Sequence, residues 1–592
     1  MRPLIIIFFF VGAVAFSQVD ILAKEYFKNG EYEKALQEYK KLYAKSPSNP
    51  NYINQIISTY QELEMYDEAE VFLTQLLERM QYPPFWVELG YNYQLKNKIE
   101  KAQVLYERAI RSIDERASNV FSVARSFQNH SLLNEAVLAY EKAMALNPDY
   151  NFNVQLAQIY GEQGNVEKMF NSYLDFAESN PIVLSDVKRA INDFISEDGL
   201  DENNVLFRKI LLKKMQEEPD VLWNELLSWL FIQQKDFRKA FMQERAIYNR
   251  MQEGLLRIEE LASICVNENE IEIAKEIYGY IIETGQNPDT KLNAHYNLLQ
   301  LEIKESSKAD YAAIEAKYLE LLETFGNETE MLNLQISYAH FLAFYVNETK
   351  KATQFLEDIL EKEPLNQLEQ AQIKLELGDI LVLQEQFNKA LIYYTQIQRN
   401  LKNSTISQEA RFKVAKASYY KGDFKWAESQ LKILKSSTSQ LIANDALELK
   451  LLISDNKYED SLQIALKQYA KADLLAFQNR NDEAIILLDK ILGAHKTEPI
   501  IAQTLFKQAQ LFVLKKEFEK AKANYEVLIE NYRDGVLVDD ALFYLGKIYE
   551  NELNQPEKAK SLYENIIFNH ADSIYFVDAR KRFRALRGDA IN

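Results

Sequence analysis

Side chains able to do covalent, acid-base or metal chemistry are few and scattered in this chain. Five histidines, His130, His295, His340, His495 and His570, lie far apart, and none forms the helical pair or short Cys/His spacing that holds zinc. The single cysteine, Cys265, stands nine residues before Ala274, where other segments carry an aromatic, and so reads as a buried packing residue. No glycine-rich loop followed by Lys and Ser or Thr is present to cradle a phosphate, and no Gly-x-Ser-x-Gly elbow to present a nucleophile. Carboxylates are plentiful. A working acid and base, however, need a buried environment that tunes them, and the chain has no segment left over to build one. The expectation is therefore no catalytic residue, no metal and no cofactor, which leaves non-covalent binding.

The elements that would position a binding surface are visible as a period. Between Ile21 and Pro181 small residues, or an equivalent, recur at Ala35, Ala69, Ala102, Ala136 and Met169. Nine residues before each stands an aromatic: Tyr26, Tyr60, Tyr93, Phe127 and Tyr160. Four residues after each comes Tyr39, Leu73, Tyr106, Tyr140 or Tyr173. Large residues three, four or seven apart form one stripe on each of two helices, so each period is a helical hairpin. In the third hairpin Trp86, Leu89, Gly90 and Tyr93 mark the first helix, and Ala102, Tyr106 and Ala109 the second. Gly30 is suited to ending a helix.

This pattern resembles the tetratricopeptide repeat, and the resemblance extends over nearly the whole chain. It implies an all-α solenoid, a right-handed superhelix of about fifteen hairpins, in which first helices line a groove that takes partner peptides or helices. The residue after each small packing position then points into the groove: Lys24, Ser58, Tyr91, Arg125 and Gln158. Asn54, Gln61, Gln94 and Gln128, one turn away, extend the row. It is amide-rich and aromatic, suited to hydrogen-bonding an extended peptide or a helix. It lacks the Lys-Asn-Asn-Lys-Arg set with which family members clamp an acidic peptide end.

Composition agrees with a repeat array. Hydrophobic residues at 47% can fill a continuous core, and only 16 glycines and 12 prolines interrupt 592 residues. A formal charge of -19 argues against nucleic acid, which is held by neutralising phosphates, and keeps the chain soluble.

Residues 1–17 read as a secretory signal peptide. Arg2 precedes an apolar run from Leu4 to Phe16, too short to span a bilayer of roughly 20 helical residues, and Ala15-Phe16-Ser17 offers a cleavage site. This predicts an exported, periplasmic protein, peripheral at most to the outer membrane and not inserted in it after cleavage. Regular hairpins are expected at 18–181, 220–435 and 482–572. Segments 182–219, an irregular unit or joint, and 436–481, where Ser461 is the candidate anchor, break the register and are expected to be hinges or partner sites, the smaller burial of a broken register favouring hinges. Residues 573–592 form a basic capping helix and tail, or a patch for an acidic partner.

The final hairpins, around Asp539-Asp540-Ala541-Leu542-Phe543-Tyr544-Leu545-Gly546, look like those of bacterial repeat proteins serving outer-membrane assembly or envelope constriction. Three functions follow: a scaffold for envelope or outer-membrane proteins, a glycan- or peptidoglycan-binding protein, or an enzyme on a helical superhelix. The inserted loops and acylated cysteine of sugar-binding relatives are missing, as is any inserted catalytic domain.

Overall fold

A computed structural model describes residues 20–326, 331–434, 439–456, 463–533 and 535–588. The segment read as a signal peptide and the anchor Ser461 lie outside the described residues. Every regular element among those described is a helix, and successive helices pack on each other as hairpins, an all-α solenoid. Two compact units divide between Leu230 and Phe231, inside the helix Val221–Gln233.

In the first unit the period becomes packing. Ala35, Ala69, Ala102, Ala136 and Met169 are at most 1% exposed, and Tyr39, Leu73, Tyr106, Tyr140 and Tyr173 are buried beside them. The helix Pro84–Leu95 carries Gly90 under the Tyr106 ring of the helix Ile99–Glu115; a β-carbon on Gly90 would stand 2.5 Å from Tyr106 Cε1. The same offset along the chain sets Ala124 before Tyr140 and Ala157 before Tyr173, while Ile57 precedes the smaller Leu73. Large and small side chains alternate across the seam, which close packing requires.

The first helices of the five regular hairpins end the same way. Gly30 (φ 76), Glu64 (φ 56), Asn97 (φ 59), Ser131 (φ 54) and Gly164 (φ 72) are left-handed, so only two of the five positions use glycine. The next amide then bonds back five residues, as from Glu31 N to Tyr26 O and Met65 N to Tyr60 O, satisfying carbonyls the helix leaves open. Tyr93, nine residues before its anchor, fastens hairpin to hairpin: its OH donates to Glu70 Oε1 at 2.7 Å. In the second unit Tyr338 and Glu315, and Tyr549 and Glu526, repeat that bond at 3.1 and 2.8 Å.

The described prolines stand between helices or, as with Pro50, Pro84, Pro288 and Pro556, in the first turn, where no helical N–H is lost. In the stretch 182–219 the helices are Leu184–Asn192 and Glu202–Glu217. Val205 and Leu212 are exposed, and the buried stripe is Asn204, Phe207 and Leu211. Asn204 Nδ2 holds the intervening loop through Ser196 O at 2.8 Å and Asp198 O at 2.6 Å.

In the second unit first helices lengthen, from the 12 residues of Pro84–Leu95 to 17 in Gln367–Leu383 and Thr405–Lys421. Ala352, Ala390, Ala427, Ala521 and Ala559 are fully buried anchors. Cys265 is also fully buried, and burial pushes its thiol up to about 12. The helix Phe576–Arg587 closes the array against Pro556–Asn569, with Arg582 Nη1 donating to Glu550 Oε2 at 2.8 Å.

Candidate functional site

Within the first unit a polar constellation spans adjacent first helices, Pro84–Leu95 and Val120–Asn129 with its cap residue His130. Three residues separate Glu88 from Tyr91 and four separate Ser126 from His130, so each pair shares a helix face. Side by side, the four residues meet. Glu88 Oε1 accepts from Ser126 Oγ at 2.9 Å, Glu88 Oε2 lies 2.8 Å from His130 Nε2, and the His130 ring stacks on Tyr91 at 3.9 Å and 21°. Both hydrogen-bonding faces of the carboxylate are used, which fixes the Tyr91 ring by way of the imidazole. Ser126 bonds the carboxylate and not the imidazole, so this is no serine nucleophile activated by histidine.

The expected groove residues divide into two kinds. Asn54, Arg125 and Gln158 are exposed, and Ser58 and Tyr91 half-buried. Lys24 is exposed and pairs with Asp20 one turn earlier at 2.8 Å. Gln94 and Gln128 are half-buried and take part in the hairpins themselves: Gln94 Oε1 accepts from Tyr106 OH and Gln128 Oε1 from Tyr140 OH, each at 3.0 Å. Gln61 has Leu73 at the equivalent position, so no phenol is there to reach it, and its Nε2 is buried with no hydrogen-bond partner. Burial raises Tyr106 and Tyr140 above the ordinary phenol range, so both remain neutral donors.

Glu88, Ser126 and His130 were not among the expected groove residues. The signal for them was the three- and four-residue spacing to Tyr91 and His130, but their union depends on how two hairpins stack. A related pair occurs in the second unit, where His340 Nδ1 lies 2.9 Å from Glu376 Oε1 and the ring stacks on Phe344 at 4.2 Å. Among the described residues no three His, Cys, Asp or Glu side chains are grouped to hold a metal ion. No described helix is long and apolar enough to cross a membrane.

A family model described as tetratricopeptide repeat matches residues 503–535 and 540–573. These are the hairpins Ile500–Leu514 with Phe518–Asn531 and Val538–Asn551 with Pro556–Asn569. Among solved structures, the chain is similar to Naa15/Naa10 bound to HypK-THB, at 12% identity and a TM-score of 0.30 over 96% of this chain and 100% of that one. It is similar to the APC/C hetero-tetramer Cut9-Hcn1, at 12% identity and 0.23 over 96% of both chains. Yeast Tom70 matches at 16% identity and 0.28, over 88% of this chain and 97% of its own. No curated protein sequence matches the chain.

Proposed function

From a chain that carries tetratricopeptide repeats, we propose a non-enzymatic scaffold that binds other proteins, with the first-helix face of the first unit as a contact surface. The reading extends to an exported protein of the bacterial cell envelope, periplasmic and peripheral to the outer membrane, whose partners serve outer-membrane assembly or secretion. What supports it is the fixed ring of Tyr91, flanked along the face by the exposed Arg125, Asn54 and Gln158. A rigid aromatic beside a guanidinium and amides gives large contact area with adaptable hydrogen bonding and little ordering cost. The apolar run of residues 4–16 supports export.

The test is a crosslinked pull-down of the tagged chain from its native envelope, read by mass spectrometry. The expected result is a reproducible set of envelope proteins that the double variant Tyr91→Ala, Arg125→Ala no longer recovers. Recovery of nothing above control, together with retention on glycan or peptidoglycan, would overturn the scaffold in favour of a glycan-binding protein.

A further inference from the structure

The helix Thr405–Lys421 in the second unit has two successors where regular hairpins have one. Both Gln440–Asn456 and Ile464–Phe477 lie against it. The second of these is fastened at its C-terminal end across two earlier first helices. Lys471 Nζ lies 2.7 Å from Glu385 Oε1, Gln478 Nε2 donates to Leu383 O at 2.9 Å, and Asn479 Nδ2 donates to Phe344 O at 3.2 Å. Phe477 packs edge-on against Phe344 at 5.4 Å and tilted on Tyr420 at 6.0 Å.

The split leaves a cavity of about 450 Å³, inside the size range of roughly 300 to 1,000 Å³ typical of ligand pockets. Val382, Phe412, Tyr420, Leu441, Ile442 and Phe477 form its apolar walls. At one side Asp379 accepts from Tyr394 OH and from Lys413 Nζ, both at 2.6 Å, so those charges cancel. Glu409, which also lies 4.0 Å from Lys413 Nζ, and Asp445 line the cavity too, while Lys416 stands 5.9 Å over the Tyr420 ring. Two carboxylates against one ammonium leave a negative rim on a chain whose formal charge is already -19. Leu441, on the wall, is 72% exposed.

We infer that this cavity is a docking pocket for one large apolar side chain, phenylalanine or leucine, on a partner polypeptide that carries lysine or arginine at the flanking positions. The inference rests on the scaffold reading and gives it a second, chemically defined contact. The aromatic walls match an apolar anchor, and the rim attracts cations and repels acidic flanks. The polar ties from Lys471, Gln478 and Asn479 hold the Phe477 wall in place before binding, which lowers the ordering cost.

Fluorescence anisotropy of the full chain tests this with three labelled, acetylated peptides: Ser-Lys-Lys-Phe-Lys-Lys-Ser, the same with Ala for Phe, and the same with Asp for every Lys. The first is expected to bind about tenfold more tightly than either analogue, a difference near 1.4 kcal/mol. Leu441→Ser, at an exposed position that leaves the fold intact, removes most of the Phe-over-Ala preference. Asp445→Lys weakens the basic peptide and strengthens the acidic one. Equal affinity for the Phe and Ala peptides, or a preference untouched by both variants, overturns the pocket and leaves only attraction to an acidic surface. The peptide titration reads the pocket without any native partner. A pull-down that recovers envelope proteins alongside a failed titration removes the pocket and keeps the scaffold. An empty pull-down alongside a successful titration does the reverse.

Discussion

Two stretches show what one packing chemistry yields with and without register. At 84–146 each second-helix tyrosine covers a small residue or donates to a first-helix glutamine, so its ring and hydroxyl are both used within the hairpin. At 405–477 the same kinds of residue meet, with Gly378 under Tyr394 in the preceding hairpin, but the next first helix is doubled and a cavity opens beside it. Regular repetition spends aromatic surface on the core. A broken period frees it, and the released walls are held by polar ties that reach back to Glu385 and Phe344.

Truncating one aromatic in each stretch gives the largest expected difference between them. Phe127→Ala removes a fully buried ring from the regular region and is expected to cost about 3 to 5 kcal/mol. Phe477→Ala removes a half-buried ring that already faces a cavity, and should cost about 1 to 2 kcal/mol. Local hydrogen exchange on the full chain measures both, because a repeat array opens in parts. Equal costs would mean that the cavity is closed in solution.

Next in size is overpacking. Gly90→Ala and Gly378→Ala press a methyl into the Tyr106 and Tyr394 rings and are expected to lose about 1 to 3 kcal/mol each, read from urea midpoints. If the doubled helix makes its surroundings more yielding, Gly378→Ala falls at the low end.

The polar ties carry a pH signature. The hydrogen bond from Lys471 holds Glu385 below its ordinary value of 4.5, against the opposing effect of burial, with Gln478 assisting. A depressed carboxyl stabilises the fold above its unfolded value and loses that contribution as pH falls through the folded one. Amide protection in 464–479 should therefore stay level from pH 7 to about 5 and drop below 4.5, and Lys471→Met should remove that pH-dependent drop. Glu70 in the regular stretch, depressed chiefly by Lys96, makes the matched control.

The smallest effect belongs to the turns. Glu64, Ser131 and Lys516 adopt left-handed backbone that costs a non-glycine residue about 1 to 2 kcal/mol, partly offset by the entropy glycine loses on folding. Replacing each with glycine should raise stability by about 0.5 to 1 kcal/mol in thermal unfolding.

Much of this molecule is legible along the chain, because its forces are local. Ala102 and Tyr106, four residues apart, announce a helix face, and the recurrence of that pair every 33 or 34 residues announces a stack. That Tyr91 and Arg125 each follow a small packing residue, Gly90 and Ala124, is read from the same period. In the stretch 182–219 the chain shows no such pair, and the buried stripe Asn204, Phe207 and Leu211 is a register that a packing partner 37 residues away selects by setting Phe170 against Phe207 at 4.8 Å.

What the amino-acid order determined alone is the regular hairpin, its anchors and which polar residues lie beside them along each first helix, all consequences of helical periodicity. Only tertiary structure decided what those polar residues do. Gln94 and Gln128 satisfy a tyrosine across the hairpin, Glu88 and His130 join across 42 positions, and the walls at 382, 412, 441 and 477 enclose a cavity. Such unions depend on the crossing of neighbouring helices and on which helix follows which. Distances of that kind are settled by close packing over many residues, and no spacing in the chain records them.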